Sequence, residues 1–123
     1  MKVLLSIKPE YAESILDGKK SFEFRKAIFK RSGIEKVVIY ATMPVGKVVG
    51  EFDIDGVLSM GPTELWKETQ NAAGITQQFF DSYFMGREKA FAIKVKNPQR
   101  YEQPYELKKL VANGVAPQSY RYL

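Results

Sequence analysis

The sequence predicts an α+β, mainly β fold: a small, partly closed β-barrel of five or six short strands, with a short helix after the first strand and a helical insertion at about residues 63–85. Three observations predict it. Of the 123 residues, 45% are apolar or aromatic, which is enough for the core of one domain. Short runs rich in β-branched and aromatic residues recur between glycines and prolines. Strand–helix alternation stops after the first helix, which argues against a parallel α/β sheet.

The first 25 residues predict a strand, a helix and a second strand. Residues 1–7 are a short, β-prone apolar run. Pro9 suits the first turn of a helix that continues to Asp17, and Gly18 ends it. The Ser-Phe-Glu-Phe-Arg run at residues 21–25 alternates strictly, so one face of this strand carries phenylalanines and the other carries polar side chains.

Two further strands are predicted after a basic loop over residues 26–33. The first covers residues 36–42, which are strongly β-branched. The second covers residues 48–58, in which Gly50 and Gly56 mark bulges or close approaches of the backbone.

The helical insertion is predicted as two helices. Thr63 resembles the N-cap of the first, which covers Thr-Glu-Leu-Trp-Lys-Glu-Thr-Gln, and the second covers residues 76–84. Aromatic residues recur there at helical spacing, so we assign them to packing in the core. They are Trp66, Phe79, Phe80, Tyr83 and Phe84.

The last third predicts a strand at residues 89–95, which Asn97 and Pro98 end because proline cannot donate to a strand ladder. One or two helical turns are predicted at residues 104–110. The final residues, 115–123, alternate as a closing strand would.

The sequence contains no cysteine and no histidine. Their absence excludes a disulfide framework, a thiolate nucleophile, a Ser-His-Asp triad and an ordinary zinc centre. Any catalysis must therefore use lysine, arginine, carboxyl or hydroxyl groups. No run approaches 18 consecutive apolar residues, so we expect a soluble, cytoplasmic protein without membrane contact.

The formal net charge of +5 favours an anionic partner. Its distribution is uneven, because residues 1–47 carry ten basic and five acidic side chains, residues 48–86 carry one and six, and residues 87–123 carry eight and three. Two basic thirds thus flank an acidic, largely helical third. A barrel that brings the basic thirds together presents a face more positive than the total suggests.

A charged motif, Gly18-x-Lys20-x-x-Glu23-x-Arg25, follows the first strand and helix. This G-x-K-x-x-E-x-R pattern resembles the ASCH domain, a branch of the PUA-like β-barrels. The resemblance continues in the Tyr-Ala-Thr turn before Pro44, the Ala-Phe-Ala-Ile strand and the Pro-Gln-Ser-Tyr-x-Tyr-Leu ending. It implies a PUA-like barrel in the small single-domain form, with a cleft that receives a nucleotide or a nucleic-acid strand.

We expect Lys20, Glu23 and Arg25 to converge in a cleft between the first helix and the barrel. Arginine offers a planar fork for a phosphate or a base edge, lysine offers a point charge, and glutamate accepts from a base amino group. RNA or a nucleotide is the expected partner. The alternative is a structural ion pair between Glu23 and Arg25 in a regulatory or protein-interaction module.

The same cleft is a candidate catalytic site, with Lys20 and Glu23 as its catalytic candidates. The resemblance implies two activities. Some ASCH proteins are amidohydrolases of acetylated cytidine that use a lysine, a threonine and a later glutamate. Here only Lys20 matches, because Glu23 replaces the threonine and Glu68 is the nearest later acid. Ribonuclease activity, also attributed to the family, would need Lys20, Glu23 or a tyrosine for proton transfer, since histidine is absent.

Further residues extend the candidate nucleic-acid-binding surface through positive charge, a hydroxyl group or an aromatic ring. They are Lys8, Lys26, Lys30, Arg31, Tyr40, Arg87, Ser119 and Arg121. Tyr120 and Tyr122 are additional candidates for stacking on an exposed base.

Three carboxylates, Glu51, Asp53 and Asp55, share one face of a predicted strand. Oxygen ligands of this kind can hold Mg²⁺. A solvated strand face, or pairing across the sheet with basic positions such as Lys94 and Lys96, is the favoured interpretation. We expect neither a metal nor a cofactor, and the sequence leaves the oligomeric state open.

Overall fold

The computed structural model describes residues 1–123 and contains six strands and three α-helices. In chain order these are β1 (Lys2–Ile7), α1 (Pro9–Leu16), β2 (Phe22–Arg25), β3 (Lys36–Ala41), β4 (Lys47–Met60), α2 (Pro62–Thr69), α3 (Gln77–Tyr83), β5 (Ala90–Tyr105) and β6 (Tyr120–Tyr122). Short 3-10 turns occupy Gln70–Ala72 and Leu107–Lys109. The predicted mainly β fold is confirmed.

All six strands join one sheet, in the order β2-β5-β4-β3-β1-β6. β1 and β3 are parallel, and the other neighbours are antiparallel. The sheet curls into a half-barrel, so its two edge strands come together. Arg25 Nη2 on β2 donates a hydrogen bond of 2.6 Å to the backbone oxygen of Ser119, just before β6. This bond joins the edges of the half-barrel.

α1 begins and ends where the sequence predicts. Pro9 occupies the first turn, where its missing N–H is not needed, and Gly18 follows the helix with a φ of +78°. Ala12 and Ile15 are buried against the sheet. The helix is therefore fixed over β3, β4 and β5, and the turn that follows it leads directly to the charged motif.

Glycines shape the long β4–β5 pair as predicted. A Cβ on Gly50 would lie 2.5 Å from the Gln99 oxygen of β5 and 2.8 Å from Leu16 Cδ2 of α1. Only glycine at this position lets β5 and α1 approach the β4 backbone this closely. Gly56 has a φ of +116°. The β4–β5 register shifts beside both glycines.

β5 is longer than its sequence pattern predicts. Asn97 and Pro98 do not end it, because the strand continues to Tyr105. Asn97 has a φ of +50°, and the pairing with β4 shifts register at this point. Pro98 lies in a bulge, where the ladder needs no N–H from it.

Two helical predictions also need correction. α2 begins at Pro62 with Gly61 as its N-cap, so Thr63 is not the cap. Proline at the first helical position needs no N–H partner, which favours this earlier start. Residues 104–110 contain only the 3-10 turn Leu107–Lys109, because β5 occupies the start of the segment.

The core consists of three apolar clusters. α1 covers the first, which includes Leu5, Ile39 and Phe52. α2 and α3, together called the helical insertion, cover the second cluster around Phe80. The third lies on the other face of the sheet, around Leu4. No helix has the length and apolar content needed to cross a membrane.

Candidate functional site

A pocket of about 160 Å³ opens between α1, β2 and α3, at the end of β1. Its polar lining comes from Ser6, Lys8, Lys20, Glu23 and Arg25. Its apolar lining comes from Ile7, Tyr11, Phe24, Ile75, Phe79 and Tyr83. The pocket thus contains all three motif side chains that the sequence predicts to converge.

Lys20 is held in the pocket wall by groups from three parts of the chain. The residue is only 2% exposed, and its Nζ atom donates to the backbone oxygen of Ala73 at 2.7 Å. Nζ also lies 4.7 Å from the centroid of the Phe24 ring and 5.4 Å from that of Tyr11. Gly74 leaves room for the stem, since a Cβ there would lie 2.6 Å from the Lys20 Cβ.

Burial controls the protonation of Lys20. Loss of water around the ammonium lowers its pKa to about 8, although the negative charge of Glu23 opposes this shift. Burial also raises the pKa of Glu23, against the opposing charges of Arg25 and Lys20. The pocket therefore holds an acid and a base whose pKa values both move toward neutrality, an arrangement suited to proton transfer.

Arg25 is a structural centre of the site. Its Nη1 donates to Glu23 Oε2 at 3.1 Å and to the Ser6 oxygen at 3.4 Å, and its Nη2 donates to the Ser119 oxygen. The guanidinium is thus engaged with three acceptors. Its role is to hold Glu23 and join the edges of the half-barrel, which leaves little of its fork for a phosphate.

Glu23 retains an unused acceptor. Only its Oε2 atom receives a hydrogen bond from the protein, through Arg25. No fully buried side-chain oxygen in the chain lacks a partner, so the unpartnered Oε1 keeps some accessible surface, and Glu23 lines the pocket. The Lys20 ammonium likewise donates only one of its three hydrogens to the protein.

Replacement of the buried amine should reveal its titration. We expect the wild-type protein to gain stability relative to a Lys20→Met variant as the pH rises from about 8 to about 10.5. In this window the unfolded chain carries a proton on Lys20 that the folded chain has lost, so the free energy of unfolding rises by at most about 1.4 kcal/mol per pH unit. Urea unfolding of both proteins at several pH values measures the difference, and a flat difference would contradict the prediction.

The aromatic wall of the pocket was not predicted from the sequence. Phe79 is 38% exposed, and its ring centroid lies 5.8 Å from that of Tyr11 and 6.2 Å from that of Tyr83. Phe80 and Phe84, by contrast, are buried as predicted. At about 100° per residue, Phe79 and Phe84 lie at opposite margins of the aromatic stripe, about 140° apart. The width of this stripe was the signal available in the sequence that one margin could face something other than the core.

Comparison with known protein families identifies the family of this chain. The family model for the ASCH domain matches residues 5–99, which is most of the chain. The chain belongs to the ASCH domain family. The ASCH domain resemblance seen in the motif is confirmed.

Several relatives of this ASCH domain are known. It is 33% identical over 124 residues to an ASCH domain-containing ribonuclease of Zymomonas mobilis, covering 99% of this chain and 84% of that protein. The crystal structure of ASCH from Zymomonas mobilis matches with a TM-score of 0.91 and 33% identity, covering 99% of this chain and 87% of that chain. The large ribosomal subunit protein uL22 of Ureaplasma parvum is 29% identical over 98% of this chain, which spans only 39% of that protein.

The other candidate residues of this ASCH domain lie at different distances from the pocket. Lys8 lines it, and Lys26 Nζ lies 4.7 Å from the centroid of the Tyr83 ring that also lines it. Arg87 is exposed after α3. Burial raises the pKa of Tyr83, and the positive charge of Arg87 opposes this rise. Ser119 contributes its backbone oxygen to Arg25 rather than its hydroxyl group to the pocket.

Another group of candidates lies outside the pocket. Backbone N–H groups of Lys30 and Arg31 both donate to the Tyr122 hydroxyl at 3.0 Å, and the Arg31 guanidinium lies 4.1 Å from the centroid of that ring. Arg121 is exposed on β6. Tyr40 packs in the third cluster, on the other face of the sheet, where it lines a separate shallow depression.

The tyrosines proposed for base stacking also contact each other. The rings of Tyr120 and Tyr122 are 5.4 Å apart, and Tyr120 lies 6.2 Å from Phe29. Both tyrosines pack against the first cluster. Neither lines the pocket.

Two of the three carboxylates in the stripe, Glu51 and Asp53, are neutralised from β3, whereas Asp55 is exposed. Lys36 Nζ lies 2.7 Å from Glu51 Oε2 and 3.0 Å from Asp53 Oδ1. The favoured pairing across the sheet thus exists, but its cation is Lys36 rather than Lys94 or Lys96, because Lys36 is aligned with Asp53 on the neighbouring strand.

The acid implied by the amidohydrolase resemblance does not reach the pocket. Glu68 is exposed on α2 and does not line it. The segment after the long strand contributes the apolar side chain of Ile75 instead. Glu23 is the only carboxylate in the lining.

Proposed function

We propose that this ASCH domain binds RNA or a nucleotide, with a base held in the pocket of Lys20, Glu23 and Arg25. One observation carries the proposal: Glu23 Oε1 and the Lys20 ammonium have unused hydrogen-bonding capacity beside a wall of aromatic rings. Nucleobases offer both a π-face and an edge with donors and acceptors. Proteins recognise unpaired RNA bases through this combination of stacking and edge contacts.

The existing contacts give the residues of the pocket different roles in binding a base. Arg25 fixes Glu23, which can accept from an amino group on the base edge. Lys20 can donate to a ring nitrogen or carbonyl oxygen while it remains bonded to Ala73. Tyr11, Phe79 and Tyr83 supply the apolar surfaces around the base.

Binding of a fluorescently labelled single-stranded RNA hexanucleotide pool at low salt tests this function. We expect Lys20→Met to weaken binding by about 10-fold or more, because a hydrogen bond to a charged group contributes about 1.5–3 kcal/mol. Lys67→Met, at an exposed position on α2 outside the pocket, is the matched control and should bind like wild type. Absence of wild-type binding, or equal binding by Lys20→Met, would reject the proposal.

Ribonuclease activity is the second candidate. A relative with 33% identity is named as a ribonuclease, and the pocket places a Lys20 amine with a pKa of about 8 near the Glu23 carboxyl, whose pKa is raised. One group can accept the proton of a ribose hydroxyl while the other protonates the leaving oxygen. Electrophoresis of the RNA recovered from the same titrations separates the candidates. Cleavage that depends on Lys20 supports an enzyme, and intact RNA supports binding alone.

A further inference from the structure

Two lysines lie at the rim of the pocket, each beside one ring of its aromatic wall. Lys8 Nζ is 5.8 Å from the centroid of Phe79, and Lys26 Nζ is 4.7 Å from that of Tyr83. The two rings are one helical turn apart on α3 and stack with centroids 6.2 Å apart. The wall thus carries a pair of cations.

The rim lysines reach this wall from separate elements. Lys8 follows β1 and Lys26 follows β2, and both residues are exposed. Neither forms an ion pair with a carboxylate, unlike Arg25 inside the pocket. A lysine above a ring is held in place by the cation–π attraction, while its hydrogens on the outer side remain free. These two ammonium groups are therefore available to phosphates.

The cations inside the pocket are less available to phosphates than the two rim lysines. Arg25 is bonded to Glu23 and two backbone oxygens, and Lys20 is buried against Ala73. The interior offers edge contacts to a base, and the rim offers positive charge. A ligand that uses both must place a base inside and its charged backbone outside, as single strands do on aromatic, basic grooves.

We propose that the ligand is an internal nucleotide of a single strand, with its base in the pocket and its two flanking phosphates on Lys8 and Lys26. This inference rests on the proposed function and specifies its substrate class. A nucleoside carries no phosphate, and a mononucleotide carries phosphate on one side only. A nucleotide within a strand carries one on each side, which matches two rim lysines supported by separate elements.

The chain beyond Lys26 extends the positive charge in one direction. Lys30 and Arg31 follow in the same loop, and the bonds from their backbone to Tyr122 fix that loop beside β6. A base in a duplex would have to leave its stack and its partner to enter, which costs a few kcal/mol and disfavours double-stranded ligands.

Competition and salt dependence test the inference. The probes are the four nucleosides, their 5′-monophosphates and a mixed-sequence RNA hexanucleotide pool, each competing with the labelled pool. We expect the hexanucleotides to compete at least about 10-fold more strongly than the monophosphates. For Lys8→Ala and for Lys26→Ala, we expect the slope of the logarithm of the association constant against the logarithm of the salt concentration to become shallower by about 0.7. This is the value for one phosphate contact on a single strand. Lys67→Ala should leave the slope unchanged.

The outcomes distinguish this inference from the function on which it rests. If monophosphates compete as strongly as hexanucleotides, or if neither rim variant changes the slope, while Lys20→Met still weakens binding, the internal-nucleotide inference is wrong and the pocket function stands. If no RNA binds, or binding ignores Lys20→Met, the proposed function itself is wrong. Unfolding temperatures of the rim variants should match wild type, since both lysines are exposed.

Discussion

Arg25→Ala is expected to lower the free energy of unfolding by about 3–5 kcal/mol, the range seen when one partner of a buried ion pair is removed. The Glu23 side chain is 8% exposed and would lose its only hydrogen-bond donor. The Ser119 oxygen would lose the donor that joins β6 to β2. Urea unfolding followed by fluorescence of Trp66, the single tryptophan, measures the loss.

A double variant controls for the buried charge. Arg25→Leu with Glu23→Leu removes both charges together and should recover much of the stability that either single variant loses, because well-packed apolar residues can replace a buried pair. A loss below about 1 kcal/mol in Arg25→Ala would mean that the pair behaves like a solvent-exposed salt bridge. The structural role of Arg25 would then be wrong.

Phe80→Ala is expected to cost about 3–5 kcal/mol, the usual range for truncation of a buried phenylalanine. Phe80 is fully buried, and its ring lies 5.2 Å from Phe24, 5.0 Å from Trp66 and 4.8 Å from Phe84. These contacts attach the helical insertion to β2. Urea unfolding gives the loss directly.

The adjacent phenylalanine provides the matched control. Phe79→Ala removes a partly exposed ring and should change stability by less than about 1 kcal/mol. It should weaken RNA binding by about 5-fold or more, because stacking of a base on an aromatic side chain contributes about 1–3 kcal/mol. Equal effects of Phe79→Ala and Phe80→Ala on stability, with RNA binding unaffected by Phe79→Ala, would show that both rings only pack.

The elements most accurately predicted from sequence are those whose patterns depend on local geometry. Alternation at residues 21–25 places Glu23 and Arg25 on one side of β2, and the turn after Gly18 brings Lys20 next to them. The convergence of this charged motif could thus be predicted from spacing. Its family resemblance added the nature of the ligand.

The features that sequence could not predict depend on tertiary partners. A proline normally ends a strand, but the bulge at Pro98 needs no donor, so β5 continues. Lys36 reaches Glu51 only because β3 and β4 are neighbours, a choice that no local pattern specifies. Arg25 binds the Ser119 backbone, and a carbonyl oxygen leaves no trace in residue identity.

The bond between Arg25 and Ser119 also bears on how the protein folds. It spans 94 residues of sequence, and closing a loop of that length costs entropy that only the intervening structure can offset. Folds dominated by such distant contacts acquire them slowly and cooperatively. Arg25, which lines the pocket, therefore completes its hydrogen bonds only after the segment before β6 has joined the sheet.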